Sequence, residues 1–487
     1  MRRDLAVALS LANLVYLRAW ADLIPGGAAQ LFYRKTMPGF GVYFGLVADV
    51  LLLSLALFAV LRAAPKMPRW LQRLLPVGAA ALLLLGTVFL RTQLAHYVSM
   101  RALAAAAGIG FCAAAVWMLR FPDAAARAVR APLLAALPCL AITFLGPLYY
   151  LTRPSPLPPD PPLAPSLPGR PQTRVLWVVF DDWDQRLTFR NPDQAVPVPS
   201  LFYLEAHSFA ATHALAAQTG VPVVNMATTA AIPSLLYGKN AAAAELENPS
   251  TDHLLFGDGS QTVFGADNSV FARFRALGFN AAAAGWYLPY CRVFASQLTS
   301  CYWDVRYDQA TSIGSPPVEA AADATRMLFE TEGYSLFGRS LVTVRHLAEY
   351  QALLDAGKRE AADPALGLAY VHFNVPHPPF FDGERGPGDP YLRELSYVDR
   401  AVRELMEALR VSGLDRRTAV ILTSDHPARL VTPTDPHVPL LVHFPNEQNS
   451  MVLDNEITAL RIGSLAVAIA AGEVQNPEQT AHFLSGR

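Results

Sequence analysis

Residues 174–182 read RVLWVVFDD, and this stretch decides the fold class of the second half of the chain. A continuous run of apolar and β-branched residues is typical of a strand that is buried on both faces of a sheet. Residues 368–373 (LAYVHF) and 418–422 (TAVIL) have the same character. Helical patterns lie between these runs, at 269–277 and 392–409. Strands that alternate with helices predict an α/β domain with a mainly parallel sheet sandwiched by helices.

The first 151 residues have a different composition from the rest of the 487-residue chain. They hold 14 Lys/Arg and 4 Asp/Glu, whereas residues 152–487 hold 25 Lys/Arg and 36 Asp/Glu. Five apolar stretches in this part suit the roughly 20 residues that a helix needs to cross a bilayer. We therefore predict five membrane spans, at about 5–24, 39–61, 74–92, 102–120 and 131–151.

The distribution of positive charge predicts the orientation of these spans. With a cytoplasmic N-terminus, the inner segments hold nine Lys/Arg and the outer loops hold four, which is the bias of cytoplasmic loops. Residues 152–173 are rich in proline and predict an extended tether. Residues 174–487 then form a catalytic domain in the periplasm or outside the cell. The alanine- and arginine-rich composition favours a bacterium, and thus a multi-pass protein of the inner (cytoplasmic) membrane.

The composition excludes nucleic-acid-binding and mostly disordered proteins, and the predicted location of two cysteines indicates their pairing. The net charge of −11 in residues 152–487 leaves no basic face for nucleic acid. A hydrophobic content of 52% excludes disorder for most of the chain. Cys291 and Cys301 have nine residues between them in the predicted outer domain, where an oxidising compartment favours a local disulfide. Two reduced thiols remain the alternative.

Polar residues follow the predicted strands at their carboxyl ends. Asp181 and Asp182 come directly after the first strand, and Asp425 and His426 come after the strand at 418–422. Ligands of parallel α/β sheets bind at this edge. Adjacent carboxylates repel each other unless a cation neutralises them, and a carboxylate beside an imidazole suits a zinc- or manganese-class ion. His377 follows the strand at 368–373, and His437 begins the apolar segment at 437–445. We expect both histidines to converge on the same edge of the sheet.

A further candidate lies in residues 225–238, where small and hydroxyl residues precede an apolar turn that ends in glycine. A helix that begins near Thr228 would present backbone N–H groups to an anion. A hydroxyl that contacts a metal at this position could act as a nucleophile. A Thr/Ser helix cap without chemistry remains the alternative.

The order of these motifs resembles the sulfatase-like branch of the alkaline phosphatase superfamily. Five spans before such a domain resemble the membrane-anchored phosphoethanolamine transferases and the lipoteichoic acid synthase-like phosphoglycerol transferases. The resemblance is carried by VLWVVFDD (175–182), TTAAIPSLLYGK (228–239), HFNVPHPPF (372–380), SYVDRAVREL (396–405), TSDHP (423–427) and HVPLLVHFP (437–445).

The resemblance implies roles for individual residues. Thr228 lies five residues before Pro233, as the family's nucleophile does, and Thr229 is the rival. His377 and His437 match histidines near the substrate. The expected cofactor is a divalent metal: zinc first, with manganese or calcium as alternatives. The implied metal ligands are Asp181, Thr228, Asp425 and His426, with Asp182 as a further acid.

The implied activity is the transfer of a phospho-headgroup, of the phosphoethanolamine or phosphoglycerol type, through a phospho-threonine intermediate. A membrane lipid would be the donor, and an envelope lipid or glycan the acceptor. One alternative is a membrane-tethered phosphodiesterase, phosphatase or sulfatase-like hydrolase. Another is a non-enzymatic envelope assembly protein with a degenerate site. The C/S-x-P-x-R motif of true sulfatases does not surround Thr228, and Pro427 stands where the family has a small residue.

Overall fold

The computed structural model describes residues 1–487 except 88–99, 192–195, 249, 306–315, 332–333, 336–338, 383–388, 430–432, 446–449 and 487. The chain divides into two compact units. Unit 1 comprises residues 1–26, 36–156 and 310–341, and unit 2 comprises 27–35, 157–309 and 342–487. A short segment of the N-terminal region thus belongs to unit 2, and a segment from within the predicted outer domain belongs to unit 1.

Unit 1 is mainly helical. Its helices are α1 (Arg2–Val15), α2 (Leu17–Asp22), α4 (Phe40–Ala63), α5 (Arg69–Gly86), α6 (Met100–Arg120), α7 (Pro122–Ala135), α8 (Pro138–Leu151) and α14 (Pro317–Met327), beside a short hairpin of β8 (Glu330–Thr331) and β9 (Tyr334–Ser335).

The predicted membrane spans correspond to helices, but not one to one. Within the described residues, two helical stretches are long and apolar enough to cross a membrane: Phe40–Lys66 and Pro122–Leu151. The first predicted span divides at Tyr16 into α1 and α2. The predicted span at 74–92 matches α5 up to Gly86, and its last five residues lie outside the described part. Five spans therefore remain a prediction.

Helix α14 packs against α4 in the core of unit 1. Ala320 and Ala324 are buried in one apolar cluster with Leu46 of α4. The two backbones approach closely at Gly45, where a Cβ atom would lie 2.6 Å from the carbonyl oxygen of Pro317. A glycine at this position is therefore required for the helices to meet at this distance.

Unit 2 is built on a mixed nine-stranded sheet. The order of eight strands is β13-β2-β12-β11-β1-β10-β6-β7, and β14 pairs with β2. All neighbouring pairs are parallel except the two that involve β12. The strands are β1 (Arg174–Asp181), β2 (Phe209–Leu215), β6 (Asn280–Trp286), β7 (Ser300–Asp304), β10 (Leu366–Pro376), β11 (Thr418–Ser424), β12 (His437–His443), β13 (Met451–Leu453) and β14 (Ile457–Thr458).

Helices flank this sheet, and a small antiparallel sheet is formed by β3 (Ala241–Asn248), β4 (Thr251–Phe256) and β5 (Gln261–Val263). The predicted α/β class with a mainly parallel sheet is confirmed for this unit. The helices are α3 (Ala28–Phe32), α9 (Gln185–Phe189), α10 (Pro199–Ala206), α11 (Thr228–Tyr237), α12 (Val270–Ala276), α13 (Tyr290–Val293), α15 (Leu341–Ala362), α16 (Pro390–Val411), α17 (Ile462–Ala471) and α18 (Pro477–Ser485).

Strand β1 lies at the centre of the sheet, between β10 and β11, and all eight of its residues are buried. Burial on both faces is the physical reason why its sequence is continuously apolar rather than alternating. The central position brings the carboxyl ends of β1, β10 and β11 together at one edge. Part of the proline-rich tether lies along unit 2, since the Ala164 amide donates to the carbonyl of Leu298 and the Leu167 amide donates to Asn280.

Candidate metal centre and active site

The edge formed by β1 and β11 gathers three buried carboxylates and one histidine. Asp181 ends β1, and Asp425 and His426 follow β11. The Nε2 atom of His426 lies 3.6 Å from Asp181 Oδ1 and 3.3 Å from Asp425 Oδ2, while its Nδ1 atom lies 3.1 Å from Asp182 Oδ1. All four side chains are almost fully shielded from solvent.

The loop after β1 holds its shape through bonds to neighbouring elements. Asp182 has a φ of 65°, which is uncommon for a residue other than glycine and marks local strain. Its amide donates to Asp425 Oδ1, and the amide of Trp183 donates to Ser424 Oγ. The hydroxyl of Tyr391, on α16, donates to the carbonyl of Asp182. Strain at a site that is held by several bonds points to a functional constraint.

Thr228 completes the cluster from a third element. It is the first residue of α11, and its hydroxyl donates to Asp181 Oδ2 at 3.2 Å and lies 3.5 Å from His426 Nε2. Ala227, at the cap position, has no side chain that could accept from the helix start. Among the described contacts, the backbone N–H groups of Thr228 and Thr229 donate to no acceptor. These N–H groups are therefore available to an anion.

The charges of the cluster do not balance. Burial, with the nearby charge of Asp425, raises the pKa of Asp181 well above its ordinary value. Burial lowers the pKa of His426, but Asp425, Asp182 and Asp181 together outweigh it and raise that pKa to about 9. Burial opposes ionisation of Asp182, yet His426 lowers its pKa below the ordinary range. Buried carboxylates that compete for one imidazolium need a proton or a cation in addition.

The donor atoms fit a divalent metal. Asp181 Oδ1 and Asp425 Oδ2 are buried without a hydrogen-bond partner. Oxygen and imidazole ligands of zinc, at bonds of about 2.1 Å in a tetrahedron, lie about 3.4 Å from one another. The measured distances from His426 Nε2 to the two orphaned oxygens and to Thr228 Oγ1 are 3.6, 3.3 and 3.5 Å. Two overlapping groups of buried residues, Asp181–Asp182–His426 and Asp181–His372–Asp425, have ligand atoms close enough to one another to hold a metal ion.

His372 is a site residue that the sequence did not single out. It lies within β10 and is fully buried, and burial lowers its pKa to about 3. A ligand atom of His372 lies within 4.8 Å of ligand atoms of Asp181 and Asp425. The Nε2 atom has no hydrogen-bond partner, while Nδ1 contacts the hydroxyl of Tyr290 at 2.9 Å. No sequence signal distinguishes His372 from a core residue, because it lies inside the apolar run of β10.

Arg429 was also missed. Its Nε atom lies 3.1 Å from Asp182 Oδ1, and its Nη1 atom donates to the carbonyl of Met226. It thus joins the loop after β1 to the segment before α11 and brings positive charge to the cluster. The signal was an arginine three residues beyond His426, at the same strand end.

The two further histidines of the prediction occupy different positions. His377 lies at the margin of the cluster, with Nε2 3.9 Å from Asp182 Oδ2 and a side chain that is 14% exposed. His437 begins β12 at the same sheet edge, but its Nδ1 atom pairs with Asp435 at 2.6 Å. Among the described contacts, His437 meets none of the cluster residues.

Cys291 and Cys301 are joined in a disulfide.

The comparison with protein families bears on the carboxyl-terminal part of this site. Residues 307–467 match the sulfatase family model. The match covers about a third of the chain and shows that this part is similar to the sulfatase family. It includes β10, β11 and β12 and thus Asp425 and His426, whereas Asp181 and Thr228 precede it. The expected superfamily is confirmed, and with it the expected class of enzymes that act on sulfate and phosphate esters.

Solved structures with a related fold were also found, and no curated protein sequence matches the chain. The lipoteichoic acid synthase LtaP from Listeria monocytogenes is 14% identical, with a TM-score of 0.37, over 61% of this chain and 71% of that one. The phosphonate monoester hydrolase of Agrobacterium radiobacter is 15% identical, with a TM-score of 0.41, over 64% and 77%. The PsFucS1 sulfatase from Pseudoalteromonas sp. is 14% identical, with a TM-score of 0.43, over 64% and 72%.

Proposed function

We propose that the chain is a membrane-anchored, metal-dependent phosphoryl-group transferase that works through a phospho-threonine intermediate at Thr228. The observation that carries this proposal is the position of the Thr228 hydroxyl, at the start of α11 and within 3.5 Å of both Asp181 and His426. A zinc-class cation bound by Asp181, Thr228, Asp425 and His426 would lower the pKa of that hydroxyl and offset the negative charge of the reacting phosphate.

The residues of the chain orient the nucleophile and the phosphoryl group. Asp181 accepts the hydrogen bond of the Thr228 hydroxyl and fixes the direction of its oxygen. The N–H groups of Thr228 and Thr229 face the position of an incoming phosphate and can donate to its oxygens, as helix starts do in phosphate sites. His426, with Arg429, lowers the pKa of Asp182, and the guanidinium of Arg429 holds that carboxylate in place at 3.1 Å.

His377 is the residue placed to donate a proton. It is partly exposed at the margin of the cluster, 3.9 Å from Asp182. In the first step, the ionised oxygen of Thr228 forms the Oγ–P bond and the P–O bond to the lipid glycerol breaks, so that diacylglycerol leaves with the proton of His377. In the second step, an acceptor hydroxyl attacks the phospho-threonine, its proton returns to the histidine, and Thr228 is regenerated.

The apolar helices favour a lipid donor. Phe40–Lys66 and Pro122–Leu151 have the length and composition to hold the chain in a bilayer. We place the protein in a bacterial inner membrane with unit 2 outside the cytoplasm, where a phosphoethanolamine or phosphoglycerol headgroup is moved to an envelope lipid or glycan.

There are two kinds of alternative: a hydrolase that uses the same residues, and a protein whose site is degenerate. If water is the acceptor, the cluster makes a phosphodiesterase or phosphatase. A sulfatase is disfavoured, because the resemblance places a threonine where sulfatases have the Cys or Ser that matures to formylglycine. A degenerate site is disfavoured by the buried oxygens of Asp181 and Asp425, which a cation would satisfy.

The test uses the full chain in detergent with phosphatidylethanolamine or phosphatidylglycerol that is labelled in the headgroup. Thr228→Ala should abolish release of diacylglycerol, and Thr229→Ala is the matched control. Diacylglycerol with a labelled acceptor indicates transfer, whereas free headgroup phosphate indicates hydrolysis. Equal turnover by wild type and Thr228→Ala, in chains shown to be folded, would refute the proposal.

A further inference from the structure

Unit 1 contains a cavity of about 1030 Å³ between α1, α4, α5 and α7. Its walls are apolar and include Leu11, Leu57, Leu82 and Leu133. The sequence of α5 explains why these helices leave space. Pro76, inside α5, removes one helical hydrogen bond, and Gly78, which lines the cavity, has no side chain to fill it. A Cβ atom at Gly78 would meet nothing within 4 Å.

Arginines surround the cavity at one end of the helices. They are Arg62, Arg69, Arg73 and Arg130, with Asp4 and Asp123 as the acidic residues of the lining. All four arginines are exposed, and in the part of the chain that the structure describes none of them forms an ion pair with a carboxylate. The lining therefore combines an apolar interior with an excess of unpaired positive charge.

The rim is assembled from three separate segments: the N-terminus, residues 62–73 and residues 122–130. The charge distribution assigned all three to the cytoplasmic side of the membrane, and the structure brings them to one end of unit 1. That end would lie at the cytoplasmic surface of the membrane, where basic pockets between helices bind anionic lipid headgroups.

We propose that this cavity binds one anionic phospholipid, with the phosphate at the arginine rim and an acyl chain between the helices. The complementarity is specific in two respects, since a soluble anion would leave the apolar walls exposed and a lipid without net charge would not offset the excess positive charge of the arginines. The lipid is distinct from the donor of the proposed reaction, which the predicted topology places on the other side of the membrane. This inference rests on the membrane placement of the proposed function but not on its chemistry.

The experiment measures bound lipid by native mass spectrometry of the full chain, released from bilayers of phosphatidylglycerol or phosphatidylcholine. We expect one phosphatidylglycerol retained per chain and no phosphatidylcholine. The double variant Arg69→Gln/Arg73→Gln should weaken retention about 25-fold, at about fivefold for each arginine. Arg120→Gln/Arg127→Gln is the matched control, because these arginines lie in the same predicted cytoplasmic segment but outside the cavity lining. The control should retain lipid as wild type does.

A second variant tests the apolar half of the site. Gly78→Leu adds a side chain at a lining position where a Cβ atom meets nothing within 4 Å and raises helix propensity, so the fold should persist while the acyl chain is displaced. We expect loss of the bound lipid with unchanged elution in size-exclusion chromatography. Equal retention of the two lipids by wild type, or wild-type retention by both the arginine and the Gly78→Leu variants, would overturn the proposal.

Discussion

Tyr391 fixes the loop that carries two acids of the metal centre, and Tyr391→Phe should therefore weaken both the fold and the metal site. Its hydroxyl donates to the carbonyl of Asp182 at 2.9 Å and accepts from the amide of Asp184 at 2.9 Å. The ring is 5% exposed, so water does not replace the lost oxygen. The phenylalanine would leave two buried backbone groups without a partner beside a residue at positive φ.

The magnitude follows from these two bonds. A buried backbone group without a partner costs about 1–3 kcal/mol, so the free energy of unfolding should fall by about 3 kcal/mol. The carboxylates of Asp181 and Asp182 would lose their fixed spacing, and metal affinity should fall about tenfold or more, as it does when groups that orient metal ligands are removed. Tyr350→Phe is the matched control, because that buried hydroxyl makes one hydrogen bond among the described contacts, to the carbonyl of Tyr397.

The assay is urea unfolding of the full chain in detergent, with metal titration by calorimetry on the same samples. The control should lose about 1 kcal/mol and keep wild-type metal affinity. If Tyr391→Phe is no less stable than Tyr350→Phe, or binds metal as wild type does, then the loop is not held by this hydroxyl and the reasoning is wrong.

Three further changes test other parts of the structure. Asp181→Asn should make the metal-free chain more stable than wild type at pH 8. The pKa of Asp181 is raised in the folded chain, so its ionisation destabilises the fold above the unfolded pKa of about 4. Melting curves with chelator should show the stability difference between variant and wild type shrinking towards pH 4, and a difference that does not change with pH would contradict the sign. His372→Gln should weaken metal binding about tenfold. His346→Gln is the control, because His346 is equally buried and both of its ring nitrogens already have partners, and it should leave the calorimetric affinity unchanged. Equal metal affinities of the two variants would exclude a role for His372. Removal of the Cys291–Cys301 disulfide by Cys291→Ala/Cys301→Ala should lower the free energy of unfolding by about 2–3 kcal/mol for a loop of this length, and reductant should then have no further effect on the melting temperature.

The α/β fold could be predicted because buried parallel strands carry a continuous apolar pattern, as β1 does from Val175 to Phe180. The same logic located Asp181 and the Asp425–His426 pair, since parallel strands place their carboxyl ends at one edge. The antiparallel strand β12 escaped this logic, because HVPLLVHFP has the pattern of any buried strand and its direction depends on the path of the chain.

The residues that were missed act through tertiary contacts. His372 lies in the middle of a buried strand, where a lone histidine has no pattern that separates a core residue from a ligand. Arg429 reaches Met226 across two hundred residues of sequence. Residues 316–331 were read as part of the outer domain, yet α14 packs with α4 in unit 1 through small residues that resemble any helix face. Tyr391 and Asp184 meet only because α16 folds over the loop after β1.

The most direct test of the central claim is peptide mass mapping of the full chain after incubation with metal and phosphatidylethanolamine or phosphatidylglycerol without an acceptor, quenched in acid. The proposed mechanism predicts a phospho-headgroup adduct on the peptide that contains Thr228, retained in Thr229→Ala and absent in Thr228→Ala. An adduct on Thr229, or lipid turnover with no adduct on either residue in the quenched wild type, would contradict the assignment of Thr228 as the nucleophile.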